Sequence, residues 1–336
     1  MRVIPDQDER DLAAMCRSLL AAELEPTAQW KALADAGVLA LPVDGSLGDL
    51  GIFCVEAGRA LSPRVVQSTA YAVLAADWLA GIRVPELFSG ERRATTVLFN
   101  PHNAADLAPR LHARRDGGQC RVSGVAEFVT DADVADLIVA QTDAGVVVID
   151  ASRSGISVEP TPMMGGFPAF TVRLQDVLID EPTPVDDGLL RRVANAVVAL
   201  DCLDLVGVGE AVIARTVDYT SMREQFGRPI ASFQAAQHIV ADMHIALDAA
   251  RLAARSAVFW IGRGQIATRQ TAVARMRAAE VKTITLDAHQ LHGGMGYVVD
   301  TGLHLFSERA RVLSTLGGGA DTAAKWLEDE MNWADS

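Results

Sequence analysis

Residues 221–243, SMREQFGRPIASFQAAQHIVADM, decide how this chain is read. They join two long runs of helical periodicity through a short segment carrying the breakers Gly227 and Pro229. Before the segment, apolar positions repeat at helical spacing over about residues 189–223. After it they resume over 232–262 and again over 267–291. A last run spans 303–333 and is interrupted by three glycines at 317–319. Long helices with short connections predict a four-helix bundle over residues 185–336.

Working toward the N-terminus, the pattern changes over residues 91–184. Short β-rich runs appear there: TTVLF, CRVSGVAEFVT, ADLIVAQT, GVVVIDA, GISVEPT and FTVRLQDVLI. Glycine, aspartate and proline separate them, which predicts an antiparallel barrel or sandwich. Gly117 and Gly118 supply a hairpin turn. Residues 1–90 read as an all-α region of four helices, with Gly37 ending the second and Pro63 closing the third. Three domains are therefore expected, 1–90, 91–184 and 185–336, and 336 residues are more than one core usually fills.

Composition excludes several classes. With 43 acidic and 30 basic side chains, the net charge is -13, which argues against a nucleic-acid surface. Cys16, Cys54, Cys120 and Cys202 have spacings that suit neither a zinc site nor a disulfide framework, so no metal is expected. The start, MRVIPDQDERDLAAM, is not a signal peptide, and no apolar stretch reaches the length of a membrane span. The expectation is a cytoplasmic protein with no membrane partner. GVGEAV at 207–212 lies within a helical run and is read as close helix packing, while Gly165 and Gly166 are read as a sharp turn.

Five residues invite a binding role. Arg223 can anchor a pyrophosphate with two parallel hydrogen bonds, or pair with Glu224 or Asp218 at the surface. Phe226 can stack on an adenine or fill the bundle core. Gln290 with Gly293 and Gly294 lets backbone approach a ligand, or simply ends a helix in a tight turn.

These motifs resemble those of the acyl-CoA dehydrogenase family. Arg223, Phe226, Gly227, Gln234, Ala241 and Asp242 match its arginine-to-aspartate stretch, and Gln290, Gly293, Gly294, Gly296 and Tyr297 match its glutamine–glycine segment. The resemblance covers about residues 25–333 and implies an acyl-CoA dehydrogenase-like fold with FAD as cofactor. It implies that Arg223, Phe226, Gln234, Gln290, Gly293 and Gly294 hold FAD bound mainly by a neighbouring subunit. Phe128 and Thr130 match the strand that sets an aromatic and an alcohol beside the flavin ring; the alternative is an ordinary strand with Phe128 inward.

Two departures stand out. The family's loop over flavin and acyl-CoA is replaced by LFNPHNAAD at 98–106. The catalytic glutamate is also missing. Anchoring on Ala310 puts Gly317 at its usual position, and the alternative position, 26 residues before Arg223, is Val197. Asp201, Asp204 and Asp321 are candidates for a displaced base, whereas His289 and His292 are read as structural. No catalytic residue is assigned. The pattern resembles the short subunit of heteromeric actinobacterial steroid side-chain acyl-CoA dehydrogenases. That implies a full-length partner supplying the base in an α2β2 heterotetramer, steroid side-chain acyl-CoA substrates, and electron-transfer flavoprotein as acceptor. The alternatives are a self-sufficient homomeric dehydrogenase and a flavin-free structural protein.

Overall fold

The structure, a computed structural model, describes residues 4–331, so the far end of the last expected helix, at Trp333, lies outside the described residues. The chain opens with α1 (Gln7–Ala21), α2 (Pro26–Asp35), the one-turn α3 (Leu41–Asp44), α4 (Leu47–Arg59), α5 (Val65–Ala80) and the one-turn α6 (Pro85–Phe88). The four longer helices are those expected. Asp6 and Ser46 start α1 and α4 with reciprocal capping boxes, satisfying amides that the first turn leaves unpaired. Gly37, at φ +79°, ends α2 in the left-handed region that glycine enters cheaply. α5 is buried on nearly every side, because it lies between α7 and the first strand.

Seven strands follow: β1 (Ala94–Val97), β2 (Leu111–Asp116), β3 (Gln119–Thr130), β4 (Leu137–Thr142), β5 (Gly145–Asp150), β6 (Ile156–Pro160) and β7 (Ala169–Ile179). Their order is β1-β4-β2-β3-β7-β6, with β5 also on β4. Gly117 and Gly118 make the β2–β3 turn, both at positive φ, between the paired Asp116 and Gln119. The sheet departs from the antiparallel expectation in one respect. β1 runs parallel to β4 from the Ala94–Leu137 pairing, and Leu111 of β2 pairs parallel with Thr142. The sheet is mixed and does not close into a barrel. Parallel partners need a long crossover, and β2, β3 and their turn supply it here.

The rest is helical: α7 (Asp187–Met222), a small hairpin of β8 (Glu224–Gln225) and β9 (Arg228–Pro229), α8 (Gln234–Gly262), α9 (Thr268–Ala278), α10 (Val281–His292), α11 (Leu303–Leu313) and α12 (Ala320–Met331). The third expected run divides into α9 and α10, where Glu280 and Thr283 bond to carbonyls three residues back and tighten the chain. A Cβ on Gly207 would lie 1.9 Å from the Val55 carbonyl oxygen, and one on Gly209 would lie 2.7 Å from Leu247. GVGEAV is thus a place where α4 and α8 press closely on α7. Arg275 is fully buried, and its guanidinium donates to the carbonyls of Gly318 (2.7 Å) and Leu316 at the glycine turn before α12. No described helix is long and apolar enough to cross a membrane.

Candidate active site

The first site is built at the open end of the bundle. α7 ends at Met222, and the β8–β9 hairpin turns through Phe226 and Gly227, at φ +55° and +79°. Two adjacent positive φ values are what a two-residue hairpin needs, and Gly227 supplies one of them without strain. The turn holds Phe226 93% exposed, so it does not fill the bundle core. Arg223 is exposed and forms no ion pair among the described residues. Gln234 opens α8, also exposed.

The glutamine–glycine segment comes to the same end. Tyr219 stacks on His292 with ring centroids 4.3 Å apart and donates to the His292 carbonyl at 3.4 Å. His289 is buried between the Gly296 carbonyl and the Ser307 hydroxyl, each 2.7 Å away, and this pins the turn after α10. Both histidines are therefore structural, and burial holds the His292 imidazole below its ordinary pKa. Gln290 is exposed, and a Cβ placed on Gly293 or Gly294 would meet nothing within 4 Å. The backbone there is open to a ligand.

Phe128 and Thr130 lie elsewhere, at a cavity of about 90 Å³ between the sheet and α7. A bulge between Ala126 and Val129 puts Phe128 at φ +56°, turning its half-buried ring toward the cavity, where His102 meets it edge-on at 4.9 Å. Thr95 donates to the Thr130 carbonyl at 2.6 Å. Val197 and Gly317 line this same cavity, so the two positions named for a glutamate converge there and neither carries an acid. The Gly317 amide donates to the Pro101 carbonyl (2.6 Å), and its carbonyl accepts from the Ala104 amide (2.7 Å). Residues 98–106 thus form a clasp over the glycine turn, further tied by Trp326 donating to Asn103 at 2.8 Å.

Asp201 also lines the cavity, but a buried charge cluster engages it. Arg64 donates to Asp201 (2.8 Å) and to Asp204 (3.3 Å), and the Tyr71 hydroxyl donates to Asp201 (3.0 Å). Arg309 donates to both oxygens of Asp204, at 2.8 and 2.5 Å, and Gln67 adds a bond of 2.5 Å. Two arginines balance two aspartates. Burial alone would raise the Asp204 pKa, but Arg309, Arg64 and Gln67 outweigh it and hold the group below the usual carboxylate range. Burial, reinforced by Asp201, keeps the Tyr71 hydroxyl protonated and donating. A carboxylate so occupied is a poor base. Asp321 is exposed in the first turn of α12 and does not line the cavity.

The motif reading missed Arg64, Gln67, Tyr71, Asp131 and Arg309. One signal was present: Arg64, Gln67, Ser68 and Tyr71 fall at helical spacing in an otherwise apolar run, the mark of a buried polar face. Asp131 accepts from Ser68 at 2.5 Å, and burial pushes its pKa up to about 6, with Arg64 and Arg309 opposing the shift and Asp133 adding to it. Its folded-state pKa therefore exceeds its unfolded value, and stability falls as pH rises between about 4 and 6. Asp131→Asn, which also tolerates the positive φ, is expected to stabilise the protein by about 2 kcal/mol near pH 8. The gain should vanish below about pH 4, read by urea unfolding across the range. An equal gain at both ends would assign it to something other than titration.

Helical, β and bundle regions in this order, with an exposed hairpin and glycine turn at the bundle end, define a class of protein. The chain belongs to the acyl-CoA dehydrogenase family: residues 199–328 match "Acyl-CoA dehydrogenase, C-terminal domain". It is 26% identical to Acyl-CoA dehydrogenase FadE28 of Mycobacterium tuberculosis over 327 residues, 94% of each chain. Among solved structures it resembles a variant of the Tcur3481-Tcur3483 steroid ACAD, with a TM-score of 0.87 and 26% identity over 98% of this chain and 99% of that one. It also resembles a chain of the ChsE4-ChsE5 complex from Mycobacterium tuberculosis, with a TM-score of 0.83 and 25% identity over 99% of each.

Proposed function

We propose that this chain is one subunit of an FAD-dependent acyl-CoA dehydrogenase acting on steroid side-chain CoA thioesters, and that a full-length partner chain in an α2β2 assembly supplies the catalytic carboxylate. The observation that carries the proposal is the cavity where Val197 and Gly317 meet, neither position carrying an acid, while Arg64 and Tyr71 engage Asp201, one of the two acids lining it, the other being Glu127. The substrate class and the pairing rest on the similar proteins, one a steroid ACAD and another a two-chain complex.

The residues at the bundle end fit FAD. An unpaired arginine, an aromatic held out in solvent and a glycine pair with open backbone are suited to a pyrophosphate and an adenine. Arg223, Phe226, Gln234, Gln290, Gly293 and Gly294 would hold the ADP half. FAD held there would supply the hydride-accepting chemistry of the proposed dehydrogenation, with removal of the Cα proton left to the partner's carboxylate. The cavity beside Phe128 and Thr130, about 90 Å³, is far below the roughly 300 Å³ of the smallest ordinary ligand pockets. The proposal therefore places the flavin ring on the partner's middle domain, and this chain contributes binding and orientation. Electron-transfer flavoprotein is the proposed acceptor of the electrons.

Co-purification with the partner, followed by flavin and mass determination, tests this reading. One FAD for every two chains is expected. A homogeneous yellow homomer with one FAD per chain would overturn it. In the assembled complex, Arg223→Ala should weaken FAD binding about 10- to 100-fold, the worth of a charge-assisted contact. Unchanged affinity on titrating the apo-complex would make Arg223 a bystander.

A further inference from the structure

A second cavity, about 850 Å³, opens where α1 and α4 meet α7 and α8, and it shares no lining residue with the cavity at Gly317. Its apolar part comprises Ile52 and Val55 of α4, Leu203 and Val206 of α7, and Val258 and Phe259 of α8. Its polar part is rich in arginine, with Arg10, Arg17, Arg59, Arg251 and Arg255 set against Glu9, Glu56 and Glu210. In a chain of net charge -13, this is a local reversal of sign.

The ion pairs there form a ladder. Arg17 holds both oxygens of Glu56 (2.9 and 2.7 Å), and Arg59 bridges Glu56 (3.1 Å) to Glu210. Arg251 joins Glu210 (2.9 Å) to Asp248 at the rim. Among the described lining residues five arginines face three glutamates, and Asp248 adds an acid at the rim. Two guanidinium edges, Nη1 of Arg17 and Nη1 of Arg59, make no hydrogen bond among the described residues. Burial depresses the Arg59 pKa, Glu56 opposes the shift, and the neighbouring Arg17 and Arg251 add to it. An anion beside Arg59 would relieve that crowding.

We infer that this cleft binds an amphipathic monocarboxylate, its head between Arg17 and Arg59 and its body along Ile52, Leu203, Val206 and Val258. Arginines already paired with glutamates suit a monoanion better than a phosphate dianion, and the apolar part is what distinguishes the site from a simple anion patch. The site is separate from the dehydrogenation chemistry and does not rest on it.

Dodecanoate is the probe, titrated calorimetrically into the purified assembly containing the full chain, with dodecanol and acetate as controls. A carboxyl-¹³C label reports whether the head meets a guanidinium. Dodecanoate should bind at least about tenfold more tightly than either control, as expected of one charge-assisted contact added to apolar burial. Ile52→Trp fills the cavity without altering charge, and Arg59→Gln removes the head contact; each should weaken binding about tenfold or more. If Arg59→Gln disturbs folding, Ile52→Trp decides alone. Absence of binding, equal binding of dodecanol, or affinity unchanged in Ile52→Trp would each overturn the inference.

Discussion

Replacing Asp204 with asparagine should destabilise the folded chain by about 3–5 kcal/mol, the usual consequence of removing one member of a buried ion cluster. Asp204 is wholly buried and accepts from Arg64, Arg309 and Gln67. Asparagine keeps the shape but removes the one carboxylate that both Arg64 and Arg309 bond directly. The loss would be felt across the molecule, because Arg64 enters from the start of α5, Arg309 from α11, and Arg309 also holds the Ser62 carbonyl at 2.7 Å. The urea midpoint should fall with little change in slope, since the surface exposed on unfolding is the same.

The pH dependence has a definite sign. The Asp204 folded-state pKa lies below its unfolded value, so its contribution is fully present above the unfolded pKa of about 3.9 and is lost as pH falls through the folded pKa. Wild type and variant should therefore converge only in strong acid, where the Asp131 effect, opposite in sign at neutral pH, is also absent. An unchanged midpoint at pH 7 would mean that Asp204 is not needed to balance Arg64 and Arg309. Replacing all four by apolar residues is a different experiment, because that exchange is often neutral or stabilising.

Much of this architecture is local and could be read from short stretches. Gly117–Gly118 makes a hairpin because two residues suffice for it, and Gly207 and Gly209 mark close helix contact because only the absence of a side chain permits it. The missing glutamates at Val197 and Gly317 follow from counting positions against the motifs of the family that the chain resembles. What sequence could not show is non-local. The β1–β4 pairing joins strands separated by β2 and β3, and Arg64 meets Asp201 and Asp204 from well over a hundred positions away. The bulge that gives Phe128 a positive φ is set by its pairing with β7, so the choice between an inward Phe128 and a flavin-facing one had no local answer. The clasp of residues 98–106 on Gly317 is of the same kind: a run that reads only as an eroded loop proves to be bonded to the position it leaves without an acid.

That clasp leads to the largest effect expected on activity. In the assembled complex, changing the partner's catalytic glutamate to glutamine should lower turnover roughly 10²–10⁴-fold, the contribution of a general base. Restoring the missing acid on this chain, by Gly317→Glu, should not recover it. Gly317 sits at φ +76°, where a side chain is strained, and a Cβ there would already touch Val198 at 3.4 Å and Ala104 at 3.7 Å. Both backbone polar groups of Gly317 are bonded to the 98–106 clasp, so the turn cannot shift without breaking them. A left-handed glutamate costs about 1–2 kcal/mol before any clash is counted. The expected result is a less stable chain with no gain in turnover. Asp201→Asn distinguishes the remaining possibility. Asp201 faces the same cavity, and if it served as a base its replacement would remove the same roughly 10²–10⁴-fold. Held by Arg64 and Tyr71, it should instead cost stability while turnover per bound flavin stays near normal. Loss of turnover with flavin and assembly retained would make this chain a catalyst in its own right and would leave the partner's carboxylate without its proposed role.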